Sequence, residues 1–226
     1  MKKINVNYLM MTAIFALVGL LVCFLDGGSS LYDLAAFAPC IGTLADSVTQ
    51  DCDNPRIAGY EDVALIFNRA DIDWTAVTVD AGNNRIVTGL SMVNGKKPFV
   101  VYNPKMAEAP FNGTNSEFSS DVDRYTKQVL FYYKGIGGAA SKNVIEPLKS
   151  GQFVMLLQRK DHIGDGSFQL VGYQSGLTAT AQVLNEENGY WSMTMETSEP
   201  SAEVSFFDTD YATTKAAFDA LLAQVA

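Results

Sequence analysis

From Glu61 onward, apolar residues recur at every second position, and the breaks between such runs carry turn chemistry. Trp191, Met193 and Met195 alternate with Ser192, Thr194 and Glu196, and Leu177, Ala179, Ala181 and Val183 alternate with Thr178, Thr180 and Gln182. A period of two sends alternate side chains to opposite faces of a strand, so each run has one face to bury. Asn188-Gly189 separates these two runs, and Asp165-Gly166 separates Phe153–Gln158 from Phe168–Tyr173. Both pairs supply the positive φ angles of tight turns, which makes the flanking strands antiparallel neighbours. Further strands are expected at Val63–Asn68, Thr75–Asp80, Arg85–Leu90, Pro98–Tyr102 and Arg124–Tyr133, with Asp80–Asn84 as a loop. The total is about nine, enough for a mainly β fold built as an antiparallel sandwich or barrel.

Helical signals are few. Thr209 or Asp210 can cap a C-terminal helix whose Phe218, Leu221, Leu222 and Val225 fall on one face. A short flanking helix is expected over Ser141–Glu146. Asn103–Asp121 is a long polar segment holding Pro104, Pro110 and Asn112-Gly113. Prolines remove backbone donors and Asn-Gly favours a turn, so this segment is not expected to form a regular ladder strand. Its Pro104, Met106, Pro110 and Phe111 are the candidates for an assembly loop, because apolar side chains on a long surface loop gain most when a neighbouring chain covers them.

Residues 8–25 are apolar and uncharged, follow Lys2 and Lys3, and end at Asp26-Gly27-Gly28. Such a run reads as an export signal or a membrane anchor, with a buried helix or a mis-called start as the alternative, and it gives the chain a possible membrane contact. Val22 stands where a lipoprotein site before Cys23 wants a small residue, and Pro39 follows the small pair Ala36 and Ala38. The organisation is therefore an apolar segment over residues 1–28, an extended arm over 29–60 and a β-rich domain over 61–226. Cys40 and Cys52 lie in the arm; an oxidising compartment could join them, while a reducing one would keep both as thiols.

The chain has a net charge of -9, and its 16 Lys and Arg are scattered. It offers no basic stripe to a phosphate backbone, so sequence-specific nucleic-acid binding is not expected. Gly135-Ile136-Gly137-Gly138-Ala139-Ala140 formally matches a dinucleotide fingerprint, with Asp161 beyond the next strand. Pro147 cannot donate to the Asn143 carbonyl and Gly151 soon follows, which leaves too little helix for a crossover. His162, the only histidine, lies in a turn away from any nucleophile motif. Asp51/Asp53, Asp71/Asp73, Asp121/Asp123 and Asp208/Asp210 pair carboxylates without an EF-hand loop. Asn112-Gly113-Thr114 fits a glycosylation acceptor, and Phe131, Tyr132 and Tyr133 sit at strand spacing that suits a core. No catalytic, metal or cofactor set is expected, and the chain reads as a non-enzyme.

The order of features resembles a known group. Pro39-Cys40 and Asp51-Cys52-Asp53-Asn54-Pro55 precede Gly59-Tyr60-Glu61-Asp62 at the first strand. Asn143, Leu148 and Gly151 then lead into Phe153–Leu157, followed by Gly172–Gly176-Leu177. This layout, over most of residues 31–206, resembles virion structural proteins of Bacteroidetes phages and prophages of the tail-tube kind. The resemblance implies a sandwich or barrel with a flanking helix, made in the bacterial cytoplasm. Its copies would stack as rings with one another and with other virion proteins around an acidic lumen that conducts DNA without reading it. Residues 8–25 taken at face value support a second reading, an envelope-anchored or lipidated β-domain acting as a surface binding or adhesion module.

Overall fold

The computed structural model describes residues 59–102, 115–119 and 123–225, with 44 and 57 singly. The chain divides into two units, Met1–Asp53 and Asn54–Ala226, and all elements below belong to the second. It is mainly β and sandwich-like. Among the described residues eleven strands form two sheets. They are β1 (Tyr60–Asn68), β2 (Thr78–Val79), β3 (Ile86–Gly89), β4 (Phe99–Tyr102), β5 (Asn115–Ser119), β6 (Arg124–Tyr133), β7 (Phe153–Arg159), β8 (Phe168–Val171), β9 (Thr178–Asn185), β10 (Tyr190–Glu199) and β11 (Val204–Phe206). One sheet has seven strands in the order β2-β3-β11-β8-β7-β1-β4; the other has four in the order β5-β6-β10-β9. Every pairing among the described strands is antiparallel except that of β11 with β3.

The central strands of the seven-stranded sheet are buried on both faces. Ala64, Ile66, Phe153, Met155 and Leu157 meet Val129, Phe131, Met193 and Met195 of the smaller sheet in one core. Leu65, Phe67, Val154, Leu156 and Leu170 enter a second core on the opposite face. Phe218 and Leu221 of the C-terminal helix α2 (Tyr211–Ala223) close that second core, as their spacing required. Two-sided burial explains why Phe153–Leu157 is continuously apolar while the smaller sheet, with one covered face, alternates. Asp210 caps α2, accepting the Thr213 backbone N–H at 2.7 Å. That bond holds its carboxyl below the usual range.

Several boundaries differ from the sequence reading. The flanking helix α1 spans 138–150, with a π-helical stretch at Ser141–Ile145 ahead of Glu146–Ser150. The wider π turn accommodates Pro147, which lacks the amide an α-helical ladder would need there. Between β7 and β8 a 3-10 turn covers Gly164–Ser167, and the positive φ belongs to Gly164. The expected strand at Thr75 begins only at Thr78, because Asp73 accepts both the backbone N–H and the hydroxyl of Thr75 in a local turn. The expected absence of a ladder strand in Asn103–Asp121 is corrected at its C-terminal end. Asn115–Ser119 pairs with β6 as β5, for these residues lie beyond both prolines and keep their donors. There the Phe118 ring packs on Tyr125 at 5.2 Å. The short β11 was not expected.

A buried polar network closes one end of the sandwich. Lys127 and Glu199 sit at inward positions of β6 and β10, with Nζ and Oε2 2.6 Å apart and side chains 1% and 0% exposed. The Gln174 backbone N–H donates to the other carboxylate oxygen at 2.9 Å, and Gln174 exchanges hydrogen bonds with Ser201. Gln174 lies in the loop after β8, so the network ties the two sheets together. Gly172 begins that loop at φ +81°, and a Cβ there would meet the Phe153 carbonyl oxygen at 2.7 Å.

Removing one member of such a pair strands an unpaired buried charge. Lys127→Met alone should cost about 3–5 kcal/mol in urea unfolding, whereas adding Glu199→Leu should recover most of that loss. Equal losses in the single and double variants would show that the carboxylate does not depend on its partner.

Candidate functional site

The residues singled out for assembly, Pro104, Met106, Pro110 and Phe111, lie outside the described residues. So do Cys40, Cys52 and the apolar run 8–25. Asp51/Asp53, Asp121 and Asn112-Gly113-Thr114 also lie there. The remaining sequence candidates fall apart in space. The glycine-rich stretch follows β6, whose partners are both antiparallel, and leads through α1 to β7 in the other sheet. The parallel βαβ unit of a dinucleotide site is not built there. His162 stacks on the Tyr211 ring at 4.4 Å, with Nε2 3.5 Å from Glu61 Oε1. Asp71 accepts from the Asn68 side-chain amide at 2.8 Å and pairs with Lys96 at 3.2 Å; the Asn68 hydrogen bond, then Lys96, hold its carboxyl below the usual range. Among the described residues no group of three or more His, Cys, Asp or Glu could hold a metal ion. None of the described helices is long and apolar enough to cross a membrane.

Two clefts remain. The larger, about 540 Å³, lies beside Tyr60, Arg85, Arg159, Asp161 and Glu203. Its central charge is already committed: Arg159 reaches Glu203 at 2.7 Å and donates to the Gly166 carbonyl at 2.9 Å. Burial alone would lower the Arg159 pKa, but the Glu203 carboxylate and the Tyr60 phenolic oxygen raise it above its ordinary value. The Tyr60 hydroxyl in turn donates to Gln169. This cleft is a braced junction between the start of β1, the end of β7 and the strand β11.

The second, about 320 Å³ and largely apolar, runs under β4. Phe99 and Val101 form one wall, Phe131 and Tyr133 a second, and Pro147 and Leu148 of α1 a third. β4 is an end strand: β1 pairs with it on one side, and no described strand pairs with it on the other. Its side chains are apolar yet solvated, with Phe99 49%, Val100 36% and Tyr102 63% exposed. An end strand presents a row of outward N–H and C=O groups, which natural proteins blunt by brevity, charge or proline. At the opposite end of the same sheet β2 is only two residues long. β4 is blunted just outside its span, by Lys96, Lys97 and Pro98, and its four residues carry no charge.

Sequence patterning found this strand but not its exposure. The available signal was the Lys-Lys-Pro lead-in, since lysine and proline collect at sheet edges. No family model, curated protein or solved structure matches the chain.

The wall and the rim of the groove should separate energetically. Leu148→Ala, at a buried position, should cost roughly 2–5 kcal/mol, whereas Tyr102→Ser at the rim should cost less than about 1 kcal/mol. Chemical denaturation of both variants checks this; a Tyr102 loss as large as that of Leu148 would make the rim part of the core.

Proposed function

We propose that the chain is a non-enzymatic structural subunit that associates with copies of itself, of the tail-tube kind that its layout resembles. The observation that carries the reading is β4: a sheet edge with no charge within its span and with solvated Phe99, Val100 and Tyr102 above an apolar groove. Covering one such side chain against a neighbour contributes about 1.5–3 kcal/mol at full burial, and repetition around a ring multiplies it. The net charge of -9 suits a surface past which DNA moves without adhering. In this reading the partners are copies of the chain and other virion proteins, and assembly takes place in the bacterial cytoplasm.

Residues 8–25 favour the second reading, an envelope-anchored binding or adhesion module. The two differ in where the protein goes and in what Cys40 and Cys52 become. A tube subunit keeps both as thiols, whereas an exported domain can oxidise them.

Sedimentation velocity and negative-stain microscopy of the full chain test the first reading. Wild type should form rings or larger assemblies, and Phe99→Glu/Tyr102→Glu should sediment as a monomer with its thermal transition nearly unchanged. Wild type that stays monomeric at every concentration and fractionates with membranes supports the anchored module instead.

A further inference from the structure

We propose that the β4 edge of one copy pairs antiparallel with the β9 edge of the next, head to tail. The inference rests on the self-association reading above and names the surface that β4 meets. β4 ends the seven-stranded sheet and β9 ends the four-stranded sheet, so each copy carries both halves of the contact. The two edges are complementary in charge. Lys96 and Lys97 lead into β4, while Glu186 and Glu187 follow β9 in an exposed turn. Antiparallel pairing sets the start of one strand against the end of the other, which brings these pairs together.

One register joins both charged pairs and the apolar pairs on each face. With Lys97 opposite Glu186, Lys96 faces Glu187, Phe99 faces Leu184, Val100 faces Val183 and Tyr102 faces Ala181. Val183 is 59% exposed, so two solvated valines cover each other. The Lys96 ammonium lies 3.2 Å from Asp71, yet its side chain keeps 54% of its surface open to a further carboxylate.

The faces also agree. Phe99 and Val101 pair with Ile66 and Ala64, whose side chains enter the core between the sheets. Leu184 and Gln182 pair with Trp191 and Met193, which face that same core. Inner positions therefore oppose inner positions, and Val100 and Val183 meet on the outer face. A slip of one residue would set inner against outer side chains. A slip of two would leave Lys97 opposite Leu184 or Asn188, and Val100 opposite Ala181 or Asn185.

Because the two surfaces differ, each contact leaves one β4 and one β9 free, and the assembly closes as a ring or runs on as a filament. Direct opposition of the lysines and glutamates makes the contact weaken as salt rises.

Two sets of full-length variants test this. Lys97→Glu and Glu186→Lys should each weaken assembly at least about tenfold at low salt, and their equimolar mixture should assemble again, since every contact in an alternating chain is then complementary. Val100→Cys mixed with Val183→Cys should give disulfide-linked dimers on oxidation beyond the wild-type background, and the double variant a ladder. Near-UV dichroism confirms that each variant is folded. Val100→Cys alone cross-linking as well as the mixture would overturn the inference in favour of a two-fold β4 contact. Assemblies that form without the mixed cross-link, or a charge-swapped mixture that fails to recover, would overturn the β4–β9 contact and leave self-association standing. A wild type that is monomeric by sedimentation would instead remove the reading on which it rests.

Discussion

Phe153, Met155 and Leu157 point into one core while Val154 and Leu156 point into another, and this two-sided burial of β7 organises the rest of the domain. A strand so placed needs cover on both faces. The four-stranded sheet and α1 provide it on one side, and α2 on the other. With both faces closed, the remaining unsatisfied backbone of the seven-stranded sheet is confined to its two edges. β2 has only two residues, so β4 is the longer of the two end strands. The groove beneath it follows from the same arrangement, for α1 crosses between the two sheets and leaves a gap beside the end strand.

Much of this was legible in the residues because burial imposes periodicity. Met193 and Met195 announced the inner face of β10, and Asn188-Gly189 announced its hairpin, where Gly189 takes φ +67°. Asp210 and the spacing of Phe218 and Leu221 placed the C-terminal helix and its buried face. The misses arose where tertiary contacts override local pattern. β11 has three residues and is held by β3 and β8, partners more than thirty residues away in sequence. β5 follows a stretch whose prolines argued against any strand, but the argument applies only as far as the prolines reach. α1 extends past its expected ends because a π turn absorbs Pro147.

The Lys127–Glu199 pair was invisible for a different reason. A lysine in the slot between Tyr125 and Val129 reads as a lapse in an alternating strand, and its partner lies 72 residues later. Only the folded sheet sets them side by side. The candidate site shows the same limit: Phe99–Tyr102 reads as a strand from its composition, but whether that strand is central or terminal depends on the order of the whole sheet. Lys96, Lys97 and Pro98 carried the one local hint.

The proposed assembly makes β4 a free edge in the isolated subunit and a paired one between copies. Amide hydrogen exchange along Phe99–Tyr102, followed by mass spectrometry in dilute and concentrated protein, tests it most directly. The outward-facing β4 amides should exchange fast in the monomer and be strongly protected once the protein assembles, with β7 protected in both. Assembly that leaves β4 exchange unchanged would contradict it.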